Sequence, residues 1–296
     1  MSDVLYGKVR INGEAGQTIT ITTPTGQSRT ITTTGQDYTD VVLAGLEEYT
    51  LSNGINSESV LLNIGDFQEI DMSTTLESAT WGQIQQVIQA GTFGQIFALG
   101  DTKSFQVNNK TYTAEVVAIN DGTGSAGSWY PNKTVDFICK ELYETTYRYN
   151  SSNNNSGGFP SSEIKNTLNN TIYPLLPTDL KNVIIDKSHS YQSGSYSSSW
   201  SSQMTTIATK LWLPTVYEIG GTTQTYAPGE TSSNNKAYTL ASKIKNLNGA
   251  SSATSWWLGS PHSGNGATFW SVGTDGYLGN LGASSTRGVP VCFRIG

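Results

Sequence analysis

Charge, cysteine, histidine and long apolar runs are all scarce in this sequence. Only 14% of the 296 residues are charged and 36% are hydrophobic, below the usual globular share. Uncharged polar residues and 31 glycines fill the gap, the balance of a hydrated, weakly charged, β-rich protein. Two cysteines, Cys139 and Cys292, exclude a disulfide framework and a thiolate zinc site. They read as small buried apolar residues, although their spacing leaves one long-range disulfide open. Two histidines, His189 and His262, supply no spaced metal-ligand set, so no metal and no cofactor is expected. No Lys/Arg run exists to meet a phosphate backbone, which argues against nucleic acid as a partner. No apolar run is long enough for a membrane span, so no membrane insertion is expected. The segment Met1–Arg10 lacks the apolar core of a secretory signal. Export by cell lysis is one route compatible with that.

What remains is β-like at the start. Through about residue 72, Val9, Ile11, Ile19, Ile21, Ile31, Val41, Leu43, Leu51, Leu61 and Ile64 punctuate Thr-rich runs. In Thr18-Ile19-Thr20-Ile21-Thr22 the alternation puts isoleucines on one face and threonines on the other. Turn signals fall at Asn12-Gly13, Pro24-Thr25-Gly26, Thr34-Gly35 and Asn53-Gly54. Short strands between regular turns predict an Ig-like β-sandwich over 1–72, suited to attachment.

A mixed α+β part is expected over 73–296. Thr80 with Gln83 forms a capping-box pattern before a helix whose inner face is Trp81, Ile84, Val87 and Ile88, stopped at Gly91. Lys103–Val107 and Tyr112–Ile119 pair through Asn108-Asn109-Lys110. Ser161 is read as a cap for a helix carrying Ile164 and Leu168, and Pro177 as the start of another through Leu180. Lys210–Leu213 reads as a strand and Ala237–Leu247 as a last helix, with Leu240, Ile244 and Leu247 as its stripe. Asn150–Gly158 and Ser188–Ser202 read as loops, His189 being a solvated member of the second.

Motifs for catalysis are weak. Serine is abundant, but no nucleophile-elbow glycine pattern accompanies it. Glu141, Glu144, Glu163, Asp179 and Glu218 could supply a glycosidase pair, yet each reads more simply as a surface or helix-end charge. Asp121-Gly122-Thr123-Gly124 lacks the alternate acids of a calcium loop and reads as a polar turn. The expectation is a protein that is not an enzyme.

The end of the chain is more specific. Trp256-Trp257-Leu258-Gly259-Ser260-Pro261 and Gly288-Val289-Pro290-Val291-Cys292-Phe293-Arg294-Ile295 bracket a polar stretch. Adjacent strand positions face opposite ways, so one tryptophan fills the core and the other packs beneath a loop. In Thr268-Phe269-Trp270-Ser271-Val272, Phe269 points inward, with Thr268 and Trp270 outward. An outward Trp270 beside His262, Asn265, Tyr277, Asn280 and Arg287 makes an aromatic, hydrogen-bonding patch of the kind that forms binding hot spots.

These motifs occur in a fixed order: Trp81-x-x-Ile84, Tyr149-Asn150-Ser151-Ser152 leading to Gly157-Gly158-Phe159, Leu211-Trp212-Leu213-Pro214 with Tyr217-Glu218, then the tryptophan pair and the final strand. Together they resemble a bacterial and phage domain family of C-type-lectin fold, common in gut Firmicutes and their phages. Some members are similar to retroelement-diversified variable proteins, including phage tropism determinants. The resemblance covers about 73–296 and implies a lectin-like fold there. It implies ligand-binding positions at His262, Asn265, Thr268, Trp270, Ser271, Thr274, Tyr277, Asn280, Leu281, Thr286 and Arg287, carried by a fixed frame that includes Phe269, Val272, Gly276, Ala283, Gly288, Val289 and Phe293. Gly259 departs from the family's usual basic residue there. The calcium-sugar tripeptides of animal lectins are absent, and the cysteines offer no version of the sulfatase-activator pair. The implied role is a phage tail-tip receptor-binding protein located in the virion. It would bind a bacterial surface protein or glycan, contact other tail or virion proteins through the N-terminal domain, and assemble as a homotrimer. A bacterial surface adhesin and a glycan-active or sulfatase-activator-like enzyme are the alternatives.

Overall fold

The computed structural model describes residues 6–13, 16–34, 38–120, 133–193, 203–233 and 235–296. Strands account for 42% and helices for 16%, so the chain is mostly β, built as several sheets. It divides into two compact units, Met1–Ala98 and Leu99–Gly296. The expected boundary lay at residue 72.

The first unit contains β1 (Tyr6–Asn12), β2 (Thr18–Thr22), β3 (Ser28–Thr32), β4 (Tyr38–Ala44), β5 (Glu47–Ser52), β6 (Ser57–Leu62) and β7 (Phe67–Asp71). They make two sheets, ordered β4-β1-β7 and β3-β2-β5-β6. β1 runs antiparallel to β4 and parallel to β7. Alternation decides what goes inside: Val9, Ile11, Val41, Leu43 and Ile70 from one sheet share a core with Ile19, Ile21, Tyr49, Leu51, Val60 and Leu62 from the other. The sandwich expected from the Thr-rich pattern is present. Two of the expected core residues are not inside. Val60 and Leu62 take the inner face of β6, which turns Leu61 out, and Ile64 lies in the β6–β7 turn; both are exposed. Period two allows no compromise between neighbours.

Helix α1 (Trp81–Ala90) also belongs to this unit. Thr80 Oγ1 accepts from Gln83 N–H while the Gln83 side chain accepts from Thr80 N–H, and Gly91 closes the helix in the left-handed region at φ 79°. Trp81, Ile84, Val87 and Ile88 are its buried face. The Gln83 carboxamide donates to Ile55 O, and Gln95 of the short helix α2 (Phe93–Ile96) accepts from Thr18 Oγ1, so both helices are tied to strand-bearing segments of the same unit.

The second unit contains β8 (Thr102–Val107), β9 (Lys110–Asn120), β10 (Thr134–Leu142), β11 (Tyr147–Arg148), β12 (Ile184–Ile185), β13 (Lys187–Gln192), β14 (Met204–Thr209), β15 (Trp256–Pro261), β16 (Thr268–Val272), β17 (Leu278–Gly282), β18 (Thr286–Arg287) and β19 (Pro290–Ile295). The main sheet has the order β12-β19-β10-β9-β8, so the last strand of the chain lies inside it. Asn108 and Asn109, at φ 50° and 61°, make the tight β8–β9 turn that their sequence predicts. A second sheet, β15-β16-β17, carries the C-terminal hairpins. The ribbons β11–β18 and β13–β14 complete the strands.

Helices α3 (Glu163–Asn166), α4 (Thr178–Val183) and α5 (Val216–Gly220) are short. Ser162, one residue beyond the expected cap, accepts from Lys165 N–H, and Ile164 and Leu168 are buried as the pattern requires. Pro177 caps α4. Lys210–Leu213 is not a strand; only Trp212 bridges, to Cys292. Ser188–Gln192, expected as loop, belongs to β13, paired with β14; part of the remainder, 194–202, lies outside the described residues.

The expected helix over Ala237–Leu247 is the clearest correction. The segment runs irregularly along the sheet, with its backbone tied to fixed partners. Tyr238 N–H donates to Glu218 O, Thr239 N–H to Val117 O and Ala241 N–H to the Glu115 carboxylate. Its buried member is Lys245, whose ammonium donates to Cys139 O and Lys140 O, while Ile244 is exposed. Specific hydrogen bonds override a helical apolar stripe here.

Gly259, the departure in the sequence motif, has no room for any side chain. A Cβ there would collide with the Tyr191 ring and lie 2.8 Å from Leu213 O. Gly259→Lys is therefore expected to destabilise the unit by at least ~1–3 kcal/mol, read as a lower thermal midpoint. A wild-type midpoint would show that the β15 backbone can move away.

Candidate functional site

The C-terminal sheet separates frame from display. Register pairs Phe269 with Leu281, Ser271 with Gly279 and Trp257 with Ser271 on one face; it pairs Trp270 with Asn280, and Trp256 and Leu278 with Val272, on the other. The first face is packed by Tyr149. Its ring stacks on Phe269 at 3.5 Å between centroids and meets Trp257 edge-on at 5.4 Å. Trp257 Nε1 donates to Tyr147 O. The second face is covered by chain from the α5-to-β15 connection, where Trp256 Nε1 donates to Lys243 O and Trp270 Nε1 to Tyr226 O. Both tryptophans of the pair are fully buried, one on each side of β15.

That cover changes the expected display set. Trp270 does point away from Phe269, but it is only 8% exposed because the segment around Tyr226 lies over it. Thr268, Ser271 and His262 are buried as well. The exposed positions are Asn265, Thr274, Tyr277, Asn280 and Thr286, with Leu281 and Arg287 half-buried. Tyr277, in the β16–β17 turn, is 77% exposed. Arg287 Nη1 donates to the adjacent Thr286 O.

Three residues outside the expected stretch belong to this site. Tyr226, 48% exposed, stacks on His262 at 4.5 Å, and His262 meets Trp270 at 5.2 Å. The buried Trp270 and His262 thus support an exposed tyrosine. Asn155, fully buried, uses its Nδ2 to donate to His262 O, Asn265 O and Thr268 O. Asn153 Oδ1 accepts from both Ser284 N–H and Ser284 Oγ. The Asn150–Gly158 run, read as a loop unable to fill a core, is therefore a polar brace beneath two turns. No short motif announces this, because the partners are backbone carbonyls more than 100 residues away.

Beside the frame lies a sealed ionic cluster. Arg294 grips Asp136 with Nε to Oδ1 at 2.6 Å and Nη2 to Oδ2 at 3.0 Å. Lys187 Nζ lies 3.1 Å from Asp136 Oδ2, 2.7 Å from Glu218 Oε1 and 2.6 Å from Tyr238 Oη. His189, expected as a solvated loop residue, is buried against Asn235 and Glu218. Glu218 Oε2 also accepts from Thr215 N–H in the capping box of α5. Glu230 is fully buried and accepts from Ser260 Oγ at 2.6 Å, while Ser260 Oγ accepts from Val216 N–H.

Burial is the largest single influence on each of these groups, and it sets the direction for His189 and Glu230 but not for Asp136. For Asp136, burial pushes the pKa up, but the charges and hydrogen bonds of Arg294 and Lys187 together outweigh it and hold the carboxyl at about 2. Burial pushes His189 down to about 4 against the pull of Glu218. Burial raises Glu230 to about 8; the Glu218 charge adds to this, while the Ser260 hydrogen bond opposes it.

The other chemistry-bearing residues do not converge. Among the described residues no group of three His, Cys, Asp or Glu side chains could hold a metal ion. Asp121–Gly124 lies outside the described residues. Glu141 accepts from Thr113 N–H, Glu144 pairs with Lys110, Glu163 with Arg148, and Asp179 accepts from Leu180 N–H. Cys139 and Cys292 are free, buried thiols whose pKa values burial raises.

These features define a mostly β chain with a braced C-terminal display sheet and an ionic core closed to solvent. The chain belongs to the DUF6273 family, a domain of unknown function, which matches residues 133–296. The match takes in the ionic cluster, the brace and the display sheet, and omits β8, β9 and the first unit. No curated protein and no solved structure matches the chain.

Two outcomes are expected from the ionic core. Asp136→Ala leaves two buried cations facing one carboxylate and should cost roughly 3–5 kcal/mol in urea unfolding; a loss under ~1 kcal/mol would mean that water reaches the cluster. Glu230 sets a pH slope. Below its ordinary value of 4.5 the folded and unfolded chains both hold the proton. As pH rises towards 8 the unfolded chain releases it first, so the stabilisation is lost as pH passes through the folded value. His189 contributes the opposite slope, lost as pH falls from 6.5 through about 4, so it does not interfere above pH 6.5. The thermal midpoint should therefore fall from about pH 6.5 to 8.5 in the wild type and much less in Glu230→Gln. Parallel curves would assign the slope to another group.

Proposed function

We propose that the chain is a phage tail-tip receptor-binding protein. The C-terminal unit presents the ligand surface and the N-terminal sandwich attaches the protein to other tail or virion proteins. One observation carries this reading. Asn280 on β17, Asn265, Thr274 and Tyr277 in the turns joining β15, β16 and β17, and Thr286 on β18 are exposed around a sheet whose own tryptophans and phenylalanine are buried. Such a surface tolerates side-chain change without cost to the fold, which is what a variable recognition site requires. The lectin-like arrangement and the kinship with retroelement-diversified proteins remain part of this proposal, resting on the ordered motifs of the sequence.

The ligand is a bacterial surface protein or glycan, bound without covalent chemistry by tyrosine rings and neutral hydrogen-bonding groups. A homotrimer would raise weak single-site affinity by ~10²–10⁴-fold. The attachment role is supported by Tyr6, Tyr38, Val42, Leu46 and Phe67, exposed apolar residues of the first unit. That unit also holds 11 of the 23 acidic residues but 3 of the 17 basic ones, which favours a basic partner. The enzyme alternative gains nothing from the side chains. Asp136, His189 and Glu230 are buried away from substrate, and Glu141, Glu144, Glu163 and Asp179 each engage separate partners and do not face one another as a pair. A surface adhesin would use the same ligand face.

The test is adsorption of the purified full-length chain to a panel of Firmicutes cells. Tyr277→Ala with Asn280→Ala should lower binding by roughly tenfold or more at an unchanged thermal midpoint. Trp270→Ala is not a clean probe, since Trp270 is buried. Unchanged adsorption in the double variant would remove the ligand face from these residues, and turnover of surface polysaccharide would favour the enzyme.

A further inference from the structure

Four asparagines in this chain precede glycine: Asn12, Asn53, Asn248 and Asn265. Such pairs are chemically labile. The following amide nitrogen can attack the side-chain carbonyl, and glycine offers no Cβ to obstruct it. The fold treats the four differently. Asn12 Nδ2 donates to Glu69 Oε1, Asn53 Nδ2 to Met72 O and Asn248 Nδ2 to Thr111 O. Each of those bonds holds the leaving nitrogen in place. Gly54 N–H is also engaged, donating to Ser52 Oγ.

Asn265 is set up in the opposite sense. It is exposed, and its Nδ2 has no partner among the described residues; nor has Gly266 N–H, the attacking nitrogen. Asn265 Oδ1 accepts from Ala267 N–H at 3.0 Å. That bond closes a ring containing Gly266 N, so it folds the side-chain carbonyl back over the nucleophile. It also donates to the oxygen that becomes negative on attack. Asn265 O belongs to the same peptide unit as Gly266 N. It accepts from Asn155 Nδ2 at 2.9 Å, Thr268 N–H at 3.2 Å and Thr268 Oγ1 at 3.4 Å. Deprotonating Gly266 N–H places charge on this oxygen, so its three donors favour the reactive anion.

The geometry points to Asn265 as a self-modification site, converted in the folded protein to aspartate and isoaspartate ahead of every other Asn-Gly pair. Hydroxide removes the Gly266 amide proton and the Gly266 N–Cγ bond forms. The Cγ–Nδ2 bond then breaks and the nitrogen leaves as ammonia with a proton from water, giving a cyclic imide. Water opens the imide at either carbonyl. The net change is one water gained and one ammonia lost, with no oxidant or reductant. Asn155 does not meet the reacting atoms; it acts through the Asn265 carbonyl and is a positioning residue. The new carboxylate would stand in the exposed β15–β16 turn. Its effect on a ligand rests on the receptor-binding reading; the conversion itself does not.

The experiment is peptide mapping of the full-length chain aged at mildly alkaline pH, with and without denaturant. The expected result is conversion at residue 265 well ahead of residues 12, 53 and 248 in the folded protein, and loss of that lead in denaturant. Gly266→Ala should slow residue 265 alone. Asn155→Ala should slow it about tenfold while leaving the other three sites at wild-type rates; acceleration there would show that Asn155 only restrains the loop. The inference is overturned if residue 265 has no lead when folded, or keeps its lead when unfolded. Conversion with unaltered cell adsorption would leave the modification site standing and count against the ligand face.

Discussion

The second unit depends on the pair between Asp136 and Arg294. One residue comes from β10 and the other from β19, neighbouring strands that are about 150 residues apart in sequence. A buried ion pair is weak evidence for stability, because desolvation offsets most of the attraction. Its value here is specification. Arg294 cannot be left alone in the interior, so the final strand has one register in which its charge is met. Lys187 on β13 and Glu218 on α5 extend the same demand to two further elements, and Tyr238 extends it to the irregular segment that replaces the expected helix. One polar constraint thus ties together three strands, a short helix and an irregular segment.

With the frame fixed this way, the display sheet needs little apolar material of its own. Phe269, Trp257 and Tyr149 seal one face, while Trp256 and Trp270 are sealed on the other by a connection with almost no regular structure. The exposed positions then fall at turns, at one alternate position of β17 and on the short strand β18. Asn153 and Asn155 supply the rigidity that such turns lack, through carbonyl and amide contacts in place of packing.

Much of the scaffold was legible in the sequence. The alternation in β2, the capping box of Thr80 and Gln83, the Asn108-Asn109 turn and the buried tryptophan pair follow from local rules that the structure obeys. The site was legible in part. Tyr277 and Asn280 are exposed as expected, whereas Trp270 and His262 are covered by Tyr226, which lies far from them in sequence. The helix over 237–247 and the solvated His189 were misread for a single reason. Both lie where long-range hydrogen bonds to Glu115, Glu218 and Asn235 outweigh local preference, and no periodicity encodes such partners.

The buried Glu230 has a consequence for how the native state relates to its surroundings. At neutral pH an exposed glutamate in the unfolded chain is bare, while Glu230 in the folded chain carries hydrogen, because burial raises its pKa to about 8. The folded state therefore binds a proton that the unfolded state does not, and that proton behaves as a ligand of the fold, obeying mass action as any small molecule would. Folding draws it from the buffer, so the measured heat of folding would include the buffer's own heat of ionisation.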